Sequence, residues 1–381
     1  MCLVVSGHKS AGTHLEELII FADINRKKNT ILMKYRALGR SGLMVSEISL
    51  GTMSFGGVGN HRSIGCIEGK EAADMIDFAV DHGINLIDTA DRYSGGHCEE
   101  VIGGTLDGRR PQNLLISTKC RLPMGTGPND EGLSRMHIIQ SCEGSLKRLR
   151  TDHIDIFYLH EWDGITPEEE KLEALDTLVK QGKIRYIGCS NWSGWQIMKS
   201  LATSRENHFQ RFVTQQIHYT LESREAENEL IPIGIDQGLG TLVWSPLAGG
   251  LLSGKYTREH QTLNEGRFST GWSEPPIRDY DRLWNIVDVL NAIAAERGTT
   301  AACVALAWTL TRPTVSSLVL GARKLQYLEE NMKALDITLT EEELARLNEV
   351  SILPLQYPYW HQARLAISRI SPADEYLLKM K

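Results

Sequence analysis

Residues 154–189 read IDIFYLHEWDGITPEEEKLEALDTLVKQGKIRYIGC, in which two apolar runs flank an amphipathic stretch. The runs 154–159 and 184–189 have the length of strands, and residues 168–181 between them repeat apolar side chains at helical spacing. Two parallel strands joined by a crossover helix have this pattern. The segment therefore predicts a strand–helix–strand unit of a parallel sheet.

The same alternation extends along most of the chain. An open, doubly wound sheet is the main alternative, but its usual GxGxxG after the first strand is absent. Near-continuous apolar strands are typical of a sheet that is buried on both faces. We therefore predict a (β/α)8 TIM barrel, preceded by a β-hairpin over 34–45, with strands at 48–50, 84–87, 114–117, 154–159, 184–189, 212–217, 241–244 and 315–320.

Three segments follow from this pattern. Residues 1–33 mix small and charged residues with one short apolar run, which predicts a flexible tail or, alternatively, a short docked helix. Residues 34–351 form the barrel domain, and residues 352–381 a C-terminal extension. Long loops in compact domains are often lids, so the extension and the loop 252–280, both rich in aromatic residues, are expected to cover the mouth of the barrel.

Bulk properties favour a cytoplasmic protein. The chain of 381 residues has 41 basic and 48 acidic side chains without a basic block, which argues against a nucleic-acid partner. No apolar run is long enough to span a membrane. Seven cysteines, an odd number without a CxxC pair, fit a reducing compartment better than a disulfide framework. No metal site is predicted.

Four polar residues fall where barrel chemistry is usually found, at or after strand ends: Asp88, Tyr93, Lys119 and His160. Each alone has an ordinary structural explanation, but the combination fits proton delivery to an oxygen that gains negative charge. An ammonium beside Tyr93 is expected to lower the pKa of the phenol. Because no side chain donates hydride, the electrons are expected to come from a nicotinamide.

These residues belong to a series of short motifs through which the chain resembles the aldo/keto reductase superfamily, over residues 34–350. The resemblance implies that Asp88, Tyr93, Lys119 and His160 are the catalytic residues, with Tyr93 as general acid in reduction and base in oxidation. The motifs occur in the order YRALGRSGL (35–43), LGTM (50–53), IDTA (87–90), STK (117–119), LH (159–160), IGCSN (187–191) and WSPL (244–247).

The resemblance also implies NADPH bound across the mouth of the barrel. Ser190, Asn191 and Gln216 would bond the nicotinamide carboxamide, and Trp244 would stack on its ring. The remaining implied contacts are Gly51, Thr52, Met53 and Asp88 near the reacting end, Ser245, Pro246, Leu247, Ala248, Gly249, Gly250 and Lys255 at the pyrophosphate, and Arg323, Glu330 and Asn331 at the adenosine phosphate and adenine.

One position departs from the family pattern. A Gln commonly follows the arginine by four residues, and Tyr327 stands there after Arg323. NADPH is still expected over NADH, because a guanidinium suits a 2′-phosphate. Phe55 and Trp162 are expected to line a substrate pocket together with Tyr93 and His160. A mostly aromatic mouth with few fixed charges would favour an uncharged carbonyl compound or alcohol.

Two other functions stay open at this point. The β subunits of voltage-gated potassium channels have this fold and bind NADPH while acting mainly as partners, so a cofactor-sensing regulatory subunit is the alternative. A barrel hydrolase or isomerase that needs no nicotinamide is the second. The sequence does not identify the substrate, the direction of the reaction or the oligomeric state.

Overall fold

The fold is a closed barrel of eight parallel strands, seen in a computed structural model that describes residues 33–261 and 274–379. Each barrel strand pairs with the next in chain order, and β10 closes the ring against β3. The predicted (β/α)8 barrel and its preceding hairpin are therefore confirmed. The strands are β1 (Tyr35–Ala37), β2 (Met44–Ser46), β3 (Ile48–Gly51), β4 (Leu86–Asp88), β5 (Leu115–Cys120), β6 (Ile154–Leu159), β7 (Ile184–Ser190), β8 (Thr214–His218), β9 (Gly240–Trp244) and β10 (Val315–Gly321).

Helices surround the barrel, and several begin at residues whose side chains accept a backbone N–H. Ser134, Asp279 and Thr300 cap their helices in this way, an interaction that stabilises a helix by about 1 kcal/mol. The helices are α1 (Gly69–Asp81), α2 (His97–Leu106), α3 (Arg135–Leu149), α4 (Glu168–Lys180), α5 (Gly194–Asn207), α6 (Ala226–Gln237), α7 (Tyr280–Arg297), α8 (Ala301–Leu310), α9 (Leu325–Met332), α10 (Glu341–Ser351), α11 (Tyr359–Leu365) and α12 (Pro372–Lys379).

The hairpin of β1 and β2 covers the amino ends of the barrel strands. Leu38 lies in the turn of this hairpin. Its side chain is fully buried and packs with the interior side chains Leu86 and Ile156. The next residue, Gly39, has a φ of 60°, and a Cβ on it would lie 2.4 Å from the backbone nitrogen of Gly240, the first residue of β9. Only glycine fits this close approach. The hairpin therefore closes one end of the barrel.

The C-terminal extension packs on the outside of the barrel. α12 lies against α6, and Leu377 and Leu378 are buried there. The hydroxyl oxygens of Tyr376 and Tyr219 are 2.9 Å apart. The extension is thus joined to the α6 side of the domain by apolar packing and by this hydrogen bond.

Two predicted segments lie wholly or partly outside the described residues. They are the N-terminal tail, of which only residue 33 is described, and the loop 252–280, of which residues 262–273 are not described. Within 33–261 and 274–379, no helix combines the length and apolar character that crossing a membrane requires.

Candidate active site

Four polar side chains meet at the carboxyl end of the barrel. Asp88 is the last residue of β4, Lys119 is the last but one of β5, and His160 follows β6 directly. Tyr93 begins a short 3-10 turn after β4. Because parallel strands bring their carboxyl ends to one rim, residues distant in sequence converge there. The structure thus brings together the four residues for which the sequence predicted catalysis.

Asp88 and Lys119 form a buried ion pair. Lys119 is fully buried, and its Nζ lies 2.6 Å from Asp88 Oδ2. The other carboxylate oxygen of Asp88 accepts hydrogen bonds from Ser117 Oγ at 2.7 Å and Gln216 Nε2 at 2.8 Å. A buried ion pair is tolerated only when such extra hydrogen bonds satisfy its remaining polar atoms. Asp88 therefore fixes Lys119 in place, and the amide of Gln216 is tied to this pair.

Tyr93 experiences two opposing effects. Burial raises the pKa of its hydroxyl, and the hydrogen-bonded ammonium of Lys119, with Nζ 5.3 Å from the ring centre, offsets only part of that rise. The sequence-based expectation of a lowered pKa is therefore wrong in its net direction. Burial also acts to lower the pKa of Lys119, but Asp88 and Tyr93 outweigh it and raise that pKa. At neutral pH the site thus holds a protonated phenol beside a charged ammonium.

His160 lies close to Tyr93. The two ring centres are 6.1 Å apart and the ring planes meet at 75°. Burial, helped by the positive charge of Lys119, lowers the pKa of His160 to about 3. A neutral imidazole carries one N–H donor and one acceptor nitrogen. His160 can therefore donate a hydrogen bond to a ligand without bringing a second positive charge to the site.

The described residues enclose a cavity of about 1550 Å³, and Asp88, Tyr93 and His160 form part of its wall. This volume exceeds the roughly 300–1000 Å³ typical of a pocket for one drug-sized ligand, so it has room for a dinucleotide and a small substrate. The other predicted residues on the wall are Gly51, Thr52, Met53, Ser190, Asn191, Gln216, Trp244, Ser245, Pro246, Leu247, Gly249, Gly250, Lys255, Arg323, Glu330 and Asn331.

Two aromatic residues that were predicted to line the substrate pocket lie outside this wall. Phe55 is fully buried in the core, and its backbone forms a bridge with Ile67. Trp162 packs edge-on against Trp192 with ring centres 4.7 Å apart, and Lys171 Nζ lies 3.8 Å from the centre of the Trp162 ring. In the described part of the protein both side chains thus pack against other residues and do not line the cavity, and their role towards a substrate stays a prediction.

The two long segments expected over the mouth also differ from each other. Lys255, Tyr256 and Arg278, from the loop 252–280, line the cavity. No residue of 352–379 does so, because that extension packs against α6 instead. The expected covering role of the extension stays a prediction, without a contact between these residues and the cavity to support it.

Ser190, Asn191 and Trp244 are three of the residues expected to contact a nicotinamide, the first two by hydrogen bonds and Trp244 by stacking. Asn191 Nδ2 donates to Glu161 Oε1 at 2.7 Å, and Asn191 Oδ1 accepts from Trp244 Nε1 at 2.9 Å. Ser190 Oγ is buried and has no hydrogen-bond partner among the described residues. An unpartnered buried hydroxyl is costly and indicates a missing partner. A ligand amide, such as the carboxamide of a nicotinamide, fits this position.

Another part of the wall suits phosphate groups. Lys255 and Arg323 both line the cavity, and neither forms a salt bridge with a carboxylate within 33–261 and 274–379. Lys255 Nζ instead lies 4.1 Å from the centre of the Tyr327 ring. In the loop 245–250 the backbone φ is positive at four residues, including Ala248, which is buried rather than on the wall. Two cations without carboxylate partners fit the phosphates of a dinucleotide.

The cavity wall also carries charged residues that the sequence did not indicate: Arg92, Glu161, Glu222, Glu225, Glu274 and Arg278. The expectation of few fixed charges at the mouth is therefore wrong. Burial raises the pKa of Glu161 to about 7, although its hydrogen bond with Asn191 acts in the opposite direction. Its place immediately after a strand-end histidine was the only sequence signal that could have drawn attention to it.

The chain is similar in sequence to several known proteins. The chain is 38% identical over 328 residues to "Uncharacterized oxidoreductase YrpG" of Bacillus subtilis (strain 168), with 84% of this chain and 96% of that protein covered. It is 37% identical over 333 residues to "Probable voltage-gated potassium channel subunit beta" of Oryza sativa subsp. japonica, with the same coverage. It is also 32% identical over 336 residues to "Versiconal hemiacetal acetate reductase" of Aspergillus parasiticus, with 83% and 96% covered.

A model of a whole sequence family matches as well. The match extends over residues 47–352, which include β3 to β10 and all four residues of the candidate site. The family model matches most of the chain, and the alignment with the Bacillus subtilis relative covers 96% of that protein. The chain therefore belongs to the aldo/keto reductase family.

Proposed function

We propose that the protein is an NADP(H)-dependent oxidoreductase that interconverts an aldehyde or ketone and the corresponding alcohol, with Tyr93 as the general acid. The observation that carries this proposal is the connected series Asp88–Lys119–Tyr93, in which Asp88 and Tyr93 line the cavity and Lys119 is buried, with a neutral His160 close to Tyr93. The series combines a phenol that keeps its proton with a cation that stabilises the phenolate once the proton has left.

Each residue has a distinct part in carbonyl reduction. A bound nicotinamide cofactor supplies the hydride. Tyr93 gives its hydroxyl proton to the carbonyl oxygen, and Lys119 stabilises the phenolate that remains. Asp88 keeps Lys119 charged and positioned through their ion pair. His160 donates a hydrogen bond that orients the carbonyl oxygen, and in alcohol oxidation Tyr93 acts as the base.

The proposed cofactor is NADPH, with NADH less favoured. Arg323 and Lys255 line the cavity without carboxylate partners in the described ranges, which suits the additional phosphate of NADPH. Tyr327 stands where the family pattern commonly has a glutamine, so the side-chain amide of that glutamine is missing. The ring of Tyr327 contacts Lys255 instead. In this proposal the preference for NADPH over NADH therefore depends on Arg323 and Lys255.

The direct test measures NADPH oxidation with a panel of aldehydes and ketones, for the unaltered protein and Tyr93→Phe. We expect turnover by the unaltered protein and a loss of at least about 100-fold in Tyr93→Phe, the usual contribution of a general acid. Binding of NADPH, followed by its fluorescence, should stay within a few-fold in the variant. Equal rates for the two proteins would show that Tyr93 is not the proton donor.

A second candidate function is supported by two relatives. The plant proteins from Oryza sativa and Arabidopsis thaliana named as probable potassium channel β subunits are 37% and 36% identical to this chain. A regulatory subunit that senses its cofactor is therefore the alternative proposal. Tight NADPH binding without turnover on any carbonyl, together with a stable large assembly, would favour it.

The proposed location is the cytoplasm. Cys98, Cys120, Cys142, Cys189 and Cys303 are buried and carry free thiols in the structure. Free buried thiols are compatible with a reducing compartment. Cell fractionation tests this assignment. Recovery of the protein with an oxidising compartment would contradict it.

A further inference from the structure

Glu161 is joined to the expected nicotinamide position through one residue. Asn191 Nδ2 donates to Glu161 Oε1 at 2.7 Å and to the His160 carbonyl oxygen at 3.3 Å. Asn191 Oδ1 accepts from Trp244 Nε1 at 2.9 Å. The carboxyl group of Glu161 thus lies one side chain away from the atoms that would contact the cofactor.

The surroundings of Glu161 leave its charge poorly compensated. Arg121, after β5, attracts its carboxylate, while Glu274, from the loop after β9, repels it. No lysine or arginine of the described ranges forms a salt bridge with it, and the neighbouring His160 is neutral. Burial raises the pKa of Glu161 to about 7, so near neutral pH the group changes charge readily. A cation in the cavity would therefore shift its ionisation.

We propose that Glu161 biases the cofactor site towards the oxidised form of the cofactor. The nicotinamide ring is cationic in NADP+ and neutral in NADPH, so a nearby carboxylate attracts only the oxidised ring. Hydrogen bonding to Asn191 holds that carboxylate one side chain away from the position proposed for the ring. This inference rests on the proposed function, because it requires a nicotinamide next to Asn191 and Trp244. Glu161 acts here as a positioning and charge-tuning residue, not as a proton donor.

The sign of the pH dependence follows from linkage. Binding of a cationic ring favours the ionised carboxylate and lowers the pKa of Glu161, so NADP+ binding near pH 7 releases a proton. The affinity for NADP+ should rise as the pH increases through about 7 and level off above it. NADPH lacks the ring charge and should not share this rise. The 2′-phosphate also titrates, near pH 6, but it is present in both cofactor forms and cancels in their ratio.

The test compares the dissociation constants of NADP+ and NADPH between pH 6 and pH 8 by calorimetry. In the unaltered protein the affinity ratio should shift towards NADP+ by roughly fivefold to tenfold over this range, since the carboxyl changes from mostly protonated to mostly ionised. Glu161→Gln keeps a hydrogen-bond acceptor for Asn191 but removes the charge, and should make the ratio independent of pH. Glu222→Gln is the matched control, because Glu222 also lines the cavity and burial raises its pKa to about 7, but it pairs with Arg282 instead of bonding Asn191; this variant should retain the shift.

A second measurement needs no variant. Titrations of NADP+ in buffers of different ionisation enthalpy should reveal proton release at pH 7 by the unaltered protein, and titrations of NADPH should reveal less. A pH-dependent ratio that persists in Glu161→Gln, or equal proton release for both forms, would overturn the inference while leaving the proposed function intact. Failure of both cofactors to bind at any pH would instead contradict the proposed function itself.

Discussion

Replacing Lys119 by Met should impair stability and hydride transfer together. The change leaves Asp88 buried without its counter-ion, which typically costs 3–5 kcal/mol. Ser117 and Gln216 still donate to Asp88, so we expect the lower end, about 3 kcal/mol. A loss of that size would lower the unfolding temperature by roughly 4 °C in a protein of this length.

The effect on the rate can be worked from the distance between charge and phenol. Lys119 Nζ lies 5.3 Å from the centre of the Tyr93 ring. With an effective dielectric constant of about 20, a unit negative charge at that distance is stabilised by about 3 kcal/mol, which corresponds to roughly a hundredfold or more in rate. Loss of Lys119 should therefore slow proton transfer from Tyr93 by that factor.

Single-turnover oxidation of bound NADPH at saturating aldehyde, together with thermal unfolding, measures both effects. Lys171→Met is the matched control, because Lys171 is also fully buried and pairs with Glu168 at 2.9 Å, but packs on Trp162 rather than beside Tyr93. It should lose stability and keep its rate of hydride transfer. If Lys119→Met reacted at the unaltered rate, or if both variants slowed equally, the electrostatic role of Lys119 would be refuted.

Three further predictions concern other parts of the chain. Arg323→Ala should weaken NADPH binding by about ten- to a hundredfold, which is the range for a lost hydrogen bond to a charged group, and should leave NADH binding unchanged. Equal losses of affinity for NADPH and NADH would contradict the contact between Arg323 and the 2′-phosphate. Gly39→Ala should destabilise the fold by about 2 kcal/mol or more in urea unfolding, because its Cβ would meet the backbone of Gly240 at positive φ. Hydrogen bonding to Arg297 lowers the pKa of Glu343 to about 2, so the contribution of this carboxylate to stability should be present above about pH 4.5 and disappear as the pH falls through about 2. Unfolding as a function of pH should show this loss in the unaltered protein and less of it in Glu343→Gln.

The barrel was predictable because its strands are buried on both faces. The apolar runs 154–159 and 184–189 coincide with β6 and β7 almost residue for residue, since burial leaves few polar interruptions. Asp88, Lys119 and His160 stood out for a related reason: a polar residue at the end of an apolar strand is conspicuous.

Other features depend on three-dimensional contacts that the sequence does not encode locally. The net direction of the pKa of Tyr93 reflects how deeply the fold buries it, which outweighs the neighbouring ammonium. Phe55 and Trp162 had the right residue type and loop position for a pocket, but their side chains pack against other residues of the protein. Glu161 resembled an ordinary loop carboxylate, because its importance comes from a hydrogen bond to Asn191, 30 residues later.

The hairpin closes the amino end of the barrel, at the opposite end from the reacting groups. In directed evolution, the hairpin and the loops at the carboxyl end can therefore be altered as two independent regions. Leu38 and Gly39 lie at the amino end, whereas the reacting groups lie at the carboxyl end. β9, five residues long, spans about 17 Å between them, beyond the roughly 7–10 Å within which substitutions usually interact energetically. A library that raises stability at the hairpin should therefore combine additively with one that alters selectivity in the loops, so that gains made in separate campaigns can be merged without repeating either search.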